Sequence, residues 1–330
     1  MTGKKLSKIF ISFLAAVSFL SLGELGLRLF WEMAPSVRRP FYQRSKNPYI
    51  RYELIPGAVS ANIKINSAGF RGSEITIEKQ EGAYRILMLG DSELFSILLP
   101  EEDNLSRQLE KLLNEKSGGL KFEVVNTGVE GYNTYQEFEV LKDKGLKYAP
   151  DLVVLNYVLN DPEPGEYYFG NNFLSRNSAL YRYCIYRVKK GLIKRERKRL
   201  KIKTEPDHFN YLHSGESFLH LKNTILEMAA MLEERKIRLV VHIFPVSSLA
   251  VNDFKENYPY SHLHQMIKDI THKNIICVDA IEEFNRLEMT PQEVSINYQY
   301  NESHKNALAL GVMAELLCRV FRENNLISGI

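Results

Sequence analysis

Short apolar runs alternate with longer amphipathic stretches along most of this chain, from Tyr84 onward. Five runs have the length and apolar character of buried strands: Ile86–Leu89, Phe122–Val125, Leu152–Asn156, Leu239–Phe244 and Ile275–Val278. Other stretches repeat apolar residues every three or four positions, which predicts helices over Asn104–Lys116, Tyr135–Lys144, Phe218–Arg235 and Asn306–Phe321. Strands that alternate with helices predict an α/β domain, with a central parallel sheet flanked by helices on both faces.

Polar or glycine-rich residues follow the first three predicted strands, and a histidine precedes the last predicted helix. These clusters are Gly90-Asp91-Ser92, residues 126–131, Leu159-Asn160-Asp161 and His304. Ligands of parallel α/β sheets bind beyond the carboxyl ends of the strands. The pattern therefore predicts a functional site at this edge of the sheet.

The competing interpretation of these clusters is ordinary turn chemistry, because Gly, Asp, Ser and Asn are all frequent in turns. Under that interpretation Ser92 is a turn residue, Asn160-Asp161-Pro162 is a turn sequence, and His304 only begins a helix.

Taken in order, the four clusters resemble the sequence blocks of the SGNH (GDSL-type) esterases and acyltransferases. The resemblance covers roughly residues 66–321, and NSAGFRGSE at Asn66–Glu74 is similar to the membrane-anchored bacterial members. It implies a three-layer, flavodoxin-like sandwich and a serine hydrolase that acts on ester bonds, with no cofactor and no metal.

The resemblance also implies a role for each site residue. Ser92 corresponds to the nucleophile and His304 to the general base. The oxyanion donors correspond to the backbone N–H groups of Ser92 and Gly131 and the side-chain amide of Asn160. Acyl transfer requires such a nucleophile, base and set of donors. Two acids next to these residues are expected to support the site: Asp91 and Asp161.

The final block departs from the family pattern, which reads Asp-x-x-His. The residue three positions before His304 is Asn301, and Glu302 follows it. An asparagine orients an imidazole but carries no charge to stabilise the imidazolium; in a serine protease the Asp-to-Asn change costs about 10⁴ in kcat. Three alternatives follow: a Ser-His dyad helped by Asn301, a triad with Glu302 as the acid, or a degraded site.

The resemblance implies an esterase or deacylase of acylated envelope carbohydrate or lipid, working through an acyl-serine intermediate. Its partners would be a small-molecule or glycan ester substrate and the membrane. One alternative is an O-acyltransferase that uses the same site. The other is a catalytically silent glycan-binding or assembly protein with the same fold.

The N-terminus is typical of a signal anchor. Three lysines precede an apolar run that begins at Ile9, and apolar character resumes after Glu24 as far as Trp31. We expect a cytoplasmic tail (1–8), a transmembrane helix (9–31), a juxtamembrane segment (32–80) and a hydrolase domain (81–330). The lysines favour a single-pass protein of the cell membrane with its catalytic domain extracytoplasmic. A cleaved signal and a soluble amphipathic helix are the alternatives.

A basic segment interrupts the α/β pattern as a helical insertion at about 165–212. Residues 182–203 contain eleven Lys or Arg and one acid, Glu196, whereas the whole chain has a net charge of only +3. Contact with an anionic membrane surface and a solvated charged helix are both open. No nucleic-acid-binding module is recognisable, so nucleic acid is not an expected partner. The three cysteines have no C-x-x-C spacing, which argues against a zinc site, and their odd number argues against a full disulfide framework.

Overall fold

The computed structural model describes residues 2–31, 41–47, 49–50, 52–60, 62–163, 173–255, 257–300 and 302–327. Contacts divide the chain into two compact units. The smaller unit comprises Met1–Glu53 and Glu166–Lys201, and the larger unit comprises Leu54–Gly165 and Ile202–Ile330.

The larger unit is built around one five-stranded parallel sheet. Its strands are β1 (Ala83–Leu89), β2 (Lys121–Asn126), β3 (Leu152–Tyr157), β4 (Arg238–Ile243) and β5 (Ile275–Asp279). Their spatial order is β2-β1-β3-β4-β5, with every neighbouring pair parallel. This is the flavodoxin-like order, whose ligands bind where the strand order reverses, beside β1 and β3. The five predicted strands are confirmed.

Burial explains why these strands read as apolar runs. All six residues of β3 and the last five of β1 are buried, because helices cover both faces of a parallel sheet. Three short strand pairs lie outside the sheet. Tyr42–Arg44 pairs with Tyr52–Leu54. Two further pairs are antiparallel: Val59–Ser60 with Ile63–Lys64, and Ser295–Asn297 with Glu302–Lys305.

Helices of the larger unit flank its sheet and connect the strands. Numbered along the whole chain, the α-helices are α1 (Thr2–Gly26), α2 (Ser92–Phe95), α3 (Leu105–Lys116), α4 (Thr134–Asp143), α5 (Phe173–Asn177), α6 (Ala179–Arg199), α7 (Glu205–Leu212), α8 (Gly215–Glu234), α9 (Ser261–Lys268), α10 (Ala280–Arg286), α11 (Pro291–Val294) and α12 (Ala307–Glu323). Of these, α1, α5 and α6 belong to the smaller unit. Helix α3 packs against β2 and α12, and α4 packs against α8. The four predicted helices correspond to α3, α4, α8 and α12, and the α/β fold class is confirmed.

Asparagine caps set where three of these helices begin. The side chains of Asn104, Asn133 and Asn306 each accept a hydrogen bond from the backbone N–H three residues ahead. Such a cap satisfies one of the N–H groups that the first turn of a helix leaves without a partner.

In the smaller unit, α1 continues into a π-helical turn at Leu27–Trp31. The stretch Ser7–Phe30 has a mean hydropathy of 1.9 and is long enough to cross a membrane; signal sequences share this length and composition. Near its end, the Glu24 carboxylate accepts hydrogen bonds from the N–H groups of Ala179 and Leu180, 2.8 Å away in each case. A carboxylate at a helix N-terminus is stabilising, so Glu24 fixes the start of the basic helix α6.

Candidate active site

Strand β1 leads directly into a one-turn helix that begins with Ser92. The Asp91 carboxylate caps this helix by accepting the N–H of Glu93 at 2.9 Å. Ser96, the residue that follows the helix, has a φ of +50° and donates its N–H to the carbonyl of Ser92 at 2.8 Å. A Cβ on Gly90 would lie 2.8 Å from the Cβ of Leu94. Glycine is therefore required for the chain to turn this sharply from strand to helix.

The loop after β2 packs against this turn. The N–H of Val129 donates to the Gly90 carbonyl at 3.2 Å, and the Asn126 amide donates to the Leu94 carbonyl at 3.0 Å. A Cβ on Gly128 would lie 2.8 Å from the backbone nitrogen of Phe95. The same loop carries Gly131, which is exposed and has a φ of +72°.

The NSAGFRGSE block braces the same turn from another direction. Buried Arg71 donates guanidinium hydrogen bonds to the carbonyls of Ser96 and Leu99, both at 2.6 Å. Its backbone N–H donates to the Asn126 carbonyl at 3.2 Å. Burial lowers the pKa of Arg71 to about 10. One side chain thus ties the end of α2 to the chain that follows it.

Asn160 lies in the turn after β3 and reaches the nucleophile turn. Its side-chain amide donates to Asp91 Oδ2 at 3.3 Å. Asp161 is buried and accepts the N–H of Val158 at 3.2 Å and the hydroxyl of Thr134 at 3.0 Å. The carboxyl ends of β1 and β3 therefore meet in one cluster.

His304 completes the cluster from a strand outside the sheet, Glu302–Lys305. Its Nε2 lies 2.9 Å from Ser92 Oγ, although 212 residues separate the two in sequence. The structure thus brings Ser92, His304, Asp91 and Asn160 together. Asn301 lies outside the described residues, and Glu302 is described only in its backbone, so their roles stay predictions.

The Asp91 carboxyl group is buried. The pKa of Asp91 is raised to about 6, chiefly by burial and in smaller part by the nearby charge of Glu93. Hydrogen bonds from the Glu93 N–H and the Asn160 amide, and the charge of His304, act in the opposite direction. A neutral Asp91 is therefore accessible near neutral pH.

Glu137, which the sequence prediction missed, is a third buried acid of this region, beside Asp91 and Asp161. It lies on α4, it is only 2% exposed, and neither carboxyl oxygen has a hydrogen-bond partner among the residues that the structure describes. Burial, together with the charges of Asp161 and Asp91, holds its pKa well above the usual range. Burial, and after it the charge of Asp91, also raises the pKa of Asp161 well above the usual range, although hydrogen bonds from Val158 and Thr134 act in the opposite direction. The available signal was the position of Glu137, three residues after buried Thr134 and four before buried Leu141.

An ion pair beside the nucleophile was also missed. The Glu93 carboxylate accepts the backbone N–H of Lys305 at 3.1 Å and its ammonium at 3.3 Å. The side chains are 12% and 1% exposed, respectively. The available signal was the presence of opposite charges directly after Ser92 and directly after His304.

Neither a protein-family profile nor a curated protein matches this chain. Solved structures do. A lipolytic protein of the G-D-S-L family from Desulfitobacterium hafniense matches with 13% identity and a TM-score of 0.39, covering 72% of this chain and 98% of its own. An acetylxylan esterase from Geobacillus stearothermophilus matches with 12% identity and a TM-score of 0.46, covering 72% and 93%. The acetyl xylan esterase AlAXEase matches with 13% identity and a TM-score of 0.44, covering 72% and 98%.

Proposed function

We propose that this protein is a serine esterase or deacylase that works through an acyl intermediate on Ser92. The observation that carries the proposal is the 2.9 Å contact between Ser92 Oγ and His304 Nε2 at the carboxyl edge of the sheet. A nucleophile and a base within hydrogen-bond distance are the signature of nucleophilic catalysis. A silent binding protein has no need of that contact.

In the first half of the proposed reaction, His304 Nε2 takes the proton of Ser92 Oγ as the oxygen attacks the ester carbonyl. The new Oγ–C bond forms, and the carbonyl π pair moves onto the oxygen. The tetrahedral intermediate then collapses: the bond to the leaving alcohol breaks and His304 returns its proton to that oxygen. Water repeats the sequence on acyl-Ser92 and releases the acid.

Three N–H groups are proposed to stabilise the oxyanion: those of Ser92 and Gly131 and the side-chain amide of Asn160. The Ser92 N–H begins α2, and the loop that carries Gly131 is hydrogen-bonded to Gly90 through Val129. The Asn160 amide has two N–H donors, and the hydrogen bond to Asp91 uses one of them. Each such donor typically contributes about 10²–10³ in kcat.

We further propose that the substrate is an acylated or acetylated envelope carbohydrate or lipid. The support is the apolar helix Ser7–Phe30, which would hold the enzyme at a membrane, and the basic helix α6, which would face anionic headgroups. Transfer of the acyl group to a sugar hydroxyl in place of water would use the same residues. Mass spectrometry of products with and without an acceptor glycan distinguishes hydrolase from transferase.

The direct test uses a fluorophosphonate probe, which reacts with activated serine nucleophiles. We expect the wild-type chain to be labelled and Ser92→Ala to lose all labelling. Ser117→Ala, at the end of α3 and bonded to the Asn114 carbonyl, serves as the matched serine control and should be labelled like the wild type. Labelling that persists in Ser92→Ala would refute the assignment of the nucleophile, and an unlabelled, folded wild type would favour the silent binding protein.

A further inference from the structure

The strand that carries His304 has little support from the central sheet. It pairs only with Ser295–Asn297 among the described residues, and that pairing contains a register shift. Ser92, in contrast, lies on a turn that β1, Arg71 and the Gly128 loop all brace. An interaction that joins the nucleophile turn to the histidine strand would therefore help to set the position of the histidine relative to the serine.

Glu93 and Lys305, the residues that directly follow the serine and the histidine, supply such an interaction. One Glu93 oxygen accepts the backbone N–H of Lys305 at 3.1 Å, and the other accepts its ammonium at 3.3 Å. The carboxylate therefore contacts the histidine strand at both its backbone and its side chain.

The Lys305 ammonium also secures the residue on the other side of His304. It donates to the Ser303 carbonyl at 3.0 Å, and the Ser247 hydroxyl donates to the same carbonyl at 3.0 Å. Both neighbours of His304 in the chain are thus fixed by hydrogen bonds.

Burial makes this pair strongly interdependent. The Lys305 side chain is 1% exposed and that of Glu93 is 12% exposed. Removing one partner of a buried ion pair leaves an uncompensated charge and is strongly destabilising, whereas replacing both with apolar or neutral groups is often tolerated. The nucleophile turn and the histidine strand are therefore held together by an interaction that is costly to break from one side.

We infer that Glu93 and Lys305 are positioning residues that hold His304 Nε2 within hydrogen-bond distance of Ser92 Oγ; the inference rests on the proposed function. The pair is hydrogen-bonded to the backbone on both sides of His304, at Ser303 and at Lys305. Because Glu93 directly follows Ser92 in the chain, a change in the geometry of the pair moves the histidine relative to the serine. Displacements of about 1 Å in such sites cost about 10²-fold in rate.

The test compares Glu93→Gln and the double variant Glu93→Gln/Lys305→Met with a matched ion pair elsewhere. Arg85 and Glu123 form a pair with side chains 0% and 18% exposed, and Arg85 lies seven residues before Ser92 in β1. We expect Glu93→Gln to lower kcat for p-nitrophenyl acetate by about 10–100-fold with KM within about twofold. Glu123→Gln should lower the melting temperature comparably and leave kcat within about twofold.

The double variant removes both buried charges, leaves the net charge unchanged, and decides the case if the single variant does not fold. Because the two residues act as a unit, we expect it to lose about as much kcat as the single variant, without additivity. A double variant that retains wild-type kcat would overturn the inference and reduce the pair to a stability element, whether or not Glu93→Gln folds.

A readout independent of activity separates this inference from the proposed function. In the full-length chain with ¹⁵N-labelled histidine, assigned with His304→Gln, we expect the His304 ring resonances and their pH titration to shift in the double variant but not in Glu123→Gln. If the wild type neither hydrolyses esters nor reacts with the fluorophosphonate, the proposed function fails, and a shift in these resonances still supports positioning. Unchanged His304 resonances in the double variant would refute the positioning role of Glu93 and Lys305.

Discussion

At the scale of the single residue, Asn160 has two roles, one structural and one proposed to be catalytic. Its amide is hydrogen-bonded to Asp91, and we propose that it also donates to the oxyanion. Asn160→Ala should therefore lower kcat by about 10²–10³. KM should change little, because the oxyanion exists only in the transition state and its neighbours. Steady-state kinetics on a short-chain ester measures both constants.

The matched control for this variant is Asn324→Ala. Asn324 is exposed and donates its side-chain amide to the Val320 carbonyl. It directly follows α12, at the opposite end of that helix from His304. Its replacement should leave kcat at the wild-type value. If Asn160→Ala lowers kcat less than about threefold, the amide is not an oxyanion donor.

Glu137 predicts an unusual dependence of stability on pH. Burial raises its pKa in the folded protein, so the folded state holds this proton more tightly than the unfolded state. Stability from this group is therefore fully present below the ordinary carboxyl pKa and is lost as pH rises toward the raised pKa. Asp91, with its pKa raised to about 6, contributes in the same direction between about pH 4 and pH 6.

The variant that tests this is Glu137→Gln, which replaces the carboxyl by a neutral group of the same shape. We expect the free energy of unfolding to rise at pH 8 by about 1–3 kcal/mol, the scale of an unsatisfied buried polar group, and to change little at pH 4.5. Denaturant unfolding at both pH values gives the comparison. Glu139→Gln is the control, on the same helix and paired in the wild type with Lys142; its free energy of unfolding should not rise at pH 8. If Glu137→Gln changes the free energy of unfolding equally at both pH values, the argument is refuted.

At the scale of elements, the site depends on how closely the loop after β2 approaches α2. A Cβ on Gly128 would lie 2.8 Å from the Phe95 nitrogen and 3.1 Å from the Leu94 carbonyl carbon. Both contacts are with backbone, which a rotamer change cannot relieve. We expect Gly128→Ala to displace α2 and to lower kcat by at least about tenfold, measured with the same ester.

Gly118→Ala is the matched control for this variant. Gly118 lies in the turn between α3 and β2, and a Cβ there would meet nothing within 4 Å. Its φ is not positive, so alanine fits without backbone strain. Equal activity of Gly128→Ala and Gly118→Ala would show that the close approach does not set the position of the nucleophile.

At the scale of the whole molecule, the question is whether the N-terminal helix remains on the chain. The stretch Ser7–Phe30 has the length and hydropathy of a membrane span. We predict that the full chain with a tag before Met1 stays in the membrane pellet after alkaline carbonate washing and keeps its tag. Loss of the tag from the mature protein would indicate a cleaved signal, and release by the wash with the tag intact would contradict the anchor.

Most of the sheet could be predicted from the sequence, because buried parallel strands are continuous apolar runs and amphipathic helices repeat every three to four residues. The bounds differ by at most three residues at any strand end, for example at Ala83 in β1 against the predicted Ile86. Cluster positions were also predictable, since polar residues at a strand end cannot continue a buried strand. Ser92 and Asn160 could therefore be placed at the same edge before their contacts were known.

The pairings within the site were not predictable, because each joins residues far apart in sequence. Nothing local to Glu93 indicates that its partner is Lys305, since their contact depends on how the histidine strand folds back over α2. The same holds for Glu137, because its lack of a hydrogen-bond partner within the described part of the chain depends on the segments that pack around it. Local periodicity and composition thus determined the elements and the polar clusters at the strand ends, which depend on neighbouring residues alone, and the family resemblance implied the role of each group in them. Only the tertiary structure decided the distances, burial and charge pairing that give those groups their chemistry, because these arise where separate segments pack together.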